Sequence, residues 1–290
     1  MPFQPNYEVP EERKPYFLPA NPDKGNGRVG CLVLHGFMGS PYSSRPMAEF
    51  LAKQGITMYC PLLPGHGHYP DKLYKVPHQA WIAEAEEALH TFRQKCHEIF
   101  IIGHSMGAVL GAHLATTAGK IKGLIMLTPI DDVPDKRLRL MRWLQYVMPW
   151  FYPHRSRSLR KVVRQRVLDF DPTIDFDDPE FQKNLLPRMS RLPTSGLAEM
   201  VKMVDKGRAL WPKLHLPVLI FQGGNDPAVP PGSVERIYES IPSRDKILKT
   251  FAEAGHELMR PFEPVHTEVW QTIHEFIVRR ATVETQTAVS

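Results

Sequence analysis

Short apolar runs alternate with helix-period segments along the first half of the chain. Residues 29–34, 56–60, 99–102 and 123–127 are compact, largely β-branched or aliphatic runs bounded by turn residues, which predicts buried strands. Between them, 44–54 sets Met47, Phe50 and Leu51 on one side, and 78–94 sets Trp81, Ala85, Ala88, Leu89 and Phe92 on another. Both patterns predict amphipathic helices. A third helix is predicted over 108–115. Residues 16–18 predict a short first strand and 21–27 a turn. Strand and helix in strict alternation predict a parallel sheet covered on both faces, with functional residues beyond the carboxyl ends of its strands.

The rhythm breaks over 130–214. Residues 136–166 contain no acidic side chain, and 169–180 contain no basic one. Leu138, Met141, Leu144 and Tyr146, with Trp143, Trp150 and Phe151, are set among arginines, and 194–211 returns to helical spacing with Leu197, Val201, Val204 and Leu210. The expectation is a mainly helical cap over the sheet, with 1–129 and 215–290 forming the core. The basic stretch is either a solvated face paired with the acidic run or an amphipathic surface that meets lipid or lines an acyl pocket. Alternation then resumes, with a strand over 217–222, a helix over 233–240 and a strand over 247–251. A last helix buries Val265, Val269, Ile273 and Phe276.

Composition adds limits. The chain has 290 residues and a net charge of +5, too mild by itself to argue for nucleic acid. Cys31, Cys60 and Cys96 lack metal-like spacing and read as reduced, buried residues. The first residues resemble no secretory signal, and no apolar run is long enough to span a membrane, so a cytoplasmic protein is expected.

The chemistry centres on Gly103-His104-Ser105-Met106-Gly107, between a strand and a helix. A serine at the apex of so tight a turn needs small neighbours two residues away on either side, and Gly103 and Gly107 supply them. A serine hydroxyl also needs a base, and the base a carboxylate. Asp226 and His256 each follow a later strand, in the chain order a nucleophile elbow expects. Asp131 and Asp132, at the end of the strand after the elbow helix, are rival acids. His104 and His113 are tied to the elbow and its helix and are poorly placed as bases. Met106 N–H and, from the loop after the 29–34 strand, Phe37 N–H are the candidate oxyanion donors. His66 and His68 lack adjacent metal-like partners and read as turn residues. No metal or organic cofactor is expected.

Together, Leu34-His35-Gly36-Phe37-Met38-Gly39-Ser40-Pro41, Pro64-Gly65-His66-Gly67, Gly103-His104-Ser105-Met106-Gly107, Asp226-Pro227-Ala228-Val229-Pro230-Pro231 and Gly255-His256 resemble the α/β-hydrolase superfamily. More narrowly, they resemble its bacterial carboxylesterases and monoacylglycerol lipases. The resemblance runs over about residues 29–278. It implies the α/β-hydrolase fold, a Ser105–His256–Asp226 triad, Phe37 and Met106 as oxyanion donors, and hydrolysis of short- to medium-chain acyl esters or monoacylglycerols. Ala108 stands where members often carry a second glycine, and the 130–214 insertion is longer and richer in arginine than the most similar caps. A carbon–carbon bond hydrolase and a non-catalytic binding protein on the same scaffold are the alternatives. Weak contact of the basic cap with a membrane surface is a further expectation.

Overall fold

The computed structural model describes residues 2–25, 27–171 and 173–281. Its elements follow the predicted alternation. In order they are β1 (Tyr16–Leu18), β2 (Val29–Leu34), α1 (Arg45–Lys53), β3 (Thr57–Cys60), α2 (His78–Phe92), β4 (Glu98–His104), α3 (Met106–Thr117) and β5 (Ile121–Leu127). The segment after β5 holds α4 (Met141–Leu144), β6 (Trp150–Phe151), α5 (Arg160–Phe170), α6 (Leu186–Ser190), β7 (Leu192–Pro193) and α7 (Thr194–Leu210). The chain then runs through β8 (Val218–Gly223), α8 (Ser233–Ser240), β9 (Lys246–Phe251) and α9 (His266–Arg280).

Seven of the described strands form one sheet in the order β1-β3-β2-β4-β5-β8-β9. β1 pairs antiparallel with β3, and the other neighbours are parallel. All residues of β4 are buried, as expected of a central strand covered on both sides. Successive side chains point to opposite faces. Ile99 and Ile101 accordingly join one core with Trp81 and Phe92 of α2 and Val109 and Leu110 of α3. Phe100 and Ile102 join the other, with Met47 and Leu51 of α1 and Ile273 and Phe276 of α9. The mostly parallel sheet with helices on both faces is the α/β-hydrolase fold.

The segment between β5 and β8 is less helical than its composition suggests. Residues 136–140 form a 3-10 turn, α4 is a single turn, and β6 pairs with β7 as a two-residue antiparallel bridge. Val163, Val167, Phe176, Phe181, Leu186 and Met189 make a small core of their own. α7 belongs elsewhere. Its Leu197, Val201, Val204 and Leu210 are buried in the same cluster as α3 and β4. At about 2 kcal/mol for each buried aliphatic side chain, this contact welds the last part of the segment to the sheet layer. Among the described residues, Arg164–Asp177 is the ion pair that links the basic run to the acidic run, at 2.7 Å.

Candidate active site

β4 ends at His104, and Ser105 follows with φ +54° and ψ −117°, a left-handed conformation that a non-glycine residue adopts only under constraint. The constraint is visible on both sides. A methyl group on Gly103 would overlap the carbonyl oxygen of Gly107, and one on Gly107 would overlap that of Leu34 at the end of β2. The Ser105 N–H is tied to the Leu127 carbonyl of β5 at 2.9 Å. Ser105 is buried yet lines a cavity of about 190 Å³.

Asp226 and His256 follow β8 and β9. His256 Nδ1 donates to Asp226 Oδ2 at 2.7 Å. The other carboxylate oxygen, Oδ1, accepts from the N–H groups of Ala228 (2.7 Å) and Val229 (3.1 Å). Burial pushes the Asp226 carboxyl up, but the His256 charge, its hydrogen bond and the two N–H groups outweigh this and hold it below the usual carboxylate range. His256 Nε2 is buried and has no hydrogen-bond partner among the described residues. The ring's basic nitrogen is therefore unengaged, while its other nitrogen is fixed in the N–H tautomer by the carboxylate.

The rival residues have other partners. Asp131 faces Arg236 at 3.1 Å and Arg208 at 3.6 Å. Asp132 faces Arg139 at 2.9 Å. Both carboxylates thus tie down the arginines of α7, α8 and the turn before α4. His113 pairs with Glu86 at 2.8 Å. His104 Nε2 donates to the main-chain carbonyl of His256 at 3.2 Å, and burial pushes this imidazole down to about 4, so it stays neutral. That carbonyl also accepts from Thr128 Oγ1 at 3.1 Å. Sequence reasoning missed Thr128; its signal was a hydroxyl just past the carboxyl end of β5.

Phe37 lines the cavity, and Met106 directly follows Ser105 in its wall. Met106 opens α3, where first-turn N–H groups have no acceptor within the helix. Phe37 lines the cavity, with its ring edge-on to Trp81 and His66. The loop carrying it is braced from below. His35 Nε2 accepts from Leu63 N–H at 3.1 Å, which leaves Nδ1–H to donate to Gly36 O at 3.0 Å. His66 Nδ1 donates to Pro64 O at 3.0 Å and closes the turn that sequence assigned to it. The buried trio His104, His256 and Glu257 brings possible metal-ligand atoms within 4.8 Å of one another. The His104 Nε2 and His256 Nδ1 hydrogens already serve a carbonyl and a carboxylate.

A serine at a constrained strand–helix turn on a mostly parallel sheet defines the α/β-hydrolase class. The family described as serine aminopeptidase S33 matches residues 26–264, and the chain belongs to it and is a hydrolase. The chain is 28% identical to a thermostable monoacylglycerol lipase of Bacillus sp. (strain H-257), over 80% of this chain and 84% of that one. It is 22% identical to a carboxylesterase of Bacillus subtilis (strain 168), over 86% and 94%. Its fold is similar to that of a Paleococcus ferrophilus monoacylglycerol lipase, with a TM-score of 0.70 at 19% identity, covering 92% of this chain and 98% of that one.

Proposed function

We propose that the protein hydrolyses carboxylic esters of short to medium acyl chains, monoacylglycerols among them, through an acyl-enzyme. Ser105 Oγ attacks the ester carbonyl while His256 Nε2 takes its proton, and Asp226 stabilises the imidazolium. The N–H groups of Phe37 and Met106 meet the oxyanion. Collapse expels the alcohol, which receives the proton from His256. Water, deprotonated by the same nitrogen, then attacks the acyl carbonyl. The adduct then expels Ser105 Oγ, which takes the proton back from His256, so the free acid leaves and the serine and neutral imidazole are restored.

The observation that carries this reading is the Asp226–His256 hydrogen bond with Nε2 unengaged, in a ring whose centre lies 4.8 Å from that of His104, the residue before a serine held at a constrained turn in the cavity wall. Residues 130–214 act as the cap, since Leu138, Phe151, Leu159 and Val163 line that cavity and suit an acyl chain. On the cap's outside, Trp143, Tyr146 and Val147 are 76–80% exposed beside Arg142. This pairing suits weak contact with an anionic lipid surface.

The test is a p-nitrophenyl ester series of rising chain length on wild type and Ser105→Ala. Turnover in the wild type that vanishes in the variant is the expected result, and the best chain length sizes the pocket. Absence of turnover at every length overturns the esterase reading and favours a carbon–carbon substrate or a binding role.

A further inference from the structure

The cavity beside Ser105 has two unlike walls. The cap contributes aliphatic and aromatic side chains with Arg166 among them, whereas Arg13 and Arg260 line the cavity from outside the cap with Tyr42 and Glu257. Two carboxylates, Asp132 and Glu257, lie in the described lining. Asp132 is held by Arg139 at 2.9 Å and Arg208 at 3.3 Å. Glu257 Oε1 meets Arg166 Nη1 at 3.4 Å, which balances one charge with one.

Arg260 makes no such contact; it shares the Glu257 charge with Arg166 only at longer range. It is 94% buried by its 6% exposure, and among the described residues no carboxylate lies within ion-pair distance of its guanidinium and no acceptor hydrogen-bonds to it. Two rings are its company. Its Cζ lies 4.7 Å from the Tyr42 ring centre and 5.4 Å from that of Phe262. The rings cover the faces of the guanidinium and leave its nitrogens accessible from the cavity. The planar fork of donors still requires an acceptor with matching oxygens, and carboxylates and phosphates supply them. Arg13, also buried, adds a second positive charge to the same wall. Burial pulls its guanidinium down from the usual range, and the neighbouring Glu12 carboxylate at 3.9 Å works against this.

We infer that this wall binds an anionic group, a carboxylate or a phosphate monoester, on the part of the ester substrate that the apolar cap wall does not take. The inference rests on the esterase reading for its reaction, but the binding itself does not. The acyl chain lies against the cap, and Arg260, stacked on Tyr42, holds the charged end of the leaving alcohol. Tyr42 belongs to the loop that continues from Phe37, so the anion is read next to the reacting carbonyl rather than at the cap.

Three esters with one acyl chain separate the possibilities: 1-octanoylglycerol, its 3-phosphate, and O-octanoyl glycerate. In low salt, at least one anionic ester is expected to exceed the neutral one in kcat/KM by about tenfold or more, as a charge-assisted contact to arginine provides. Preference for the phosphate alone, or the glycerate alone, identifies the source of the charge. Arg260→Gln is expected to lower the anionic-to-neutral ratio about tenfold, mainly through KM, and Arg260→Lys to restore part of it. A wild-type ratio of one or less, or a ratio untouched in Arg260→Gln, overturns the inference. Should Arg260→Gln fold poorly, competitive inhibition of the wild type decides. Octyl phosphate or octanoate must inhibit about tenfold more strongly than octylglycerol, and equal inhibition overturns the inference. Should no ester be hydrolysed, calorimetry with octyl phosphate on Ser105→Ala tests the anion site apart from the reaction: binding that weakens in the doubly substituted Ser105→Ala, Arg260→Gln protein supports it, and no binding overturns it.

Discussion

Thr128 Oγ1 donates to the main-chain carbonyl of His256 at 3.1 Å, joining the end of β5 to the loop that carries the proposed base. Thr128 is fully buried and sits at φ +46°, a conformation rare for a β-branched residue. Its N–H is fixed to Phe221 O at 2.8 Å. With His104 Nε2 on the same carbonyl, two side chains hold the backbone of His256 in place.

Thr128→Val keeps the shape and removes the hydroxyl. Loss of one buried hydrogen bond is expected to cost about 1–2 kcal/mol of stability. Because the imidazole is positioned from this carbonyl, kcat on a p-nitrophenyl ester is expected to fall several-fold with KM little changed. An equal rise in KM with kcat intact would show that the contact shapes the pocket instead.

Steric demand at the elbow sets a second expectation. In Gly107→Ala the new methyl group meets the Leu34 carbonyl, a backbone atom that cannot step aside. A loss of about 3 kcal/mol or more is expected. Gly119 is the converse case: its φ is positive, at +59°, but a methyl there meets nothing within 4 Å. Gly119→Ala should therefore lose only about 1 kcal/mol. Urea unfolding of the two variants compares the clash with the conformational strain, and midpoints that coincide would contradict the packing drawn around the elbow.

Acid is expected to destabilise the protein well before its carboxylates titrate freely. Burial pushes His66 and His104 down to about 4. Between about 4 and the ordinary value near 6.5, the unfolded chain binds protons at these two sites and the folded one does not, so stability rises with pH in this window. By pH 5 each site is expected to cost about 2 kcal/mol relative to pH 7.5. Asp226, held low in the fold, adds a loss of the same sign at lower pH. Glu84, pushed up to about 7 by burial, acts in the opposite sense, so urea midpoints across pH 4.5–7.5 are read in Glu84→Gln, where a flat profile would mean these imidazoles are not neutral in the fold.

The exposed edge of the cap carries its own expectation. Trp143 and Tyr146 offer apolar area with polar tips next to Arg142 and the exposed Arg137. Sedimentation with vesicles containing anionic lipid is expected to fall with rising salt and to drop in Trp143→Ser, Tyr146→Ser. Equal sedimentation with neutral vesicles would assign the contact to the apolar area alone.

Much of this architecture was legible in the residue order. The elbow could be read because its sterics are local: Gly103, Ser105 and Gly107 lie within five positions, and only small residues fit them. The strands could be read because a central parallel strand is apolar throughout, as β4 is. Asp226 and His256 could be named because each directly follows a strand on the edge where Ser105 stands. What sequence alone left open was which carboxylate meets His256; Asp131 and Asp132 also follow a strand, and their arginine partners come from α7, α8 and the turn before α4.

The chain by itself therefore determined the alternation and the elbow, since each follows from short-range periodicity or local steric limits. Tertiary structure decided the rest. It packed α7 into the same core as α3 and β4, tied His256 to Thr128 across 128 positions, and set Arg166 against Glu257 across 91. It also left Arg260 buried between two rings without a carboxylate. Such relations depend on which distant side chains fill the same volume, and no local pattern in a sequence records that.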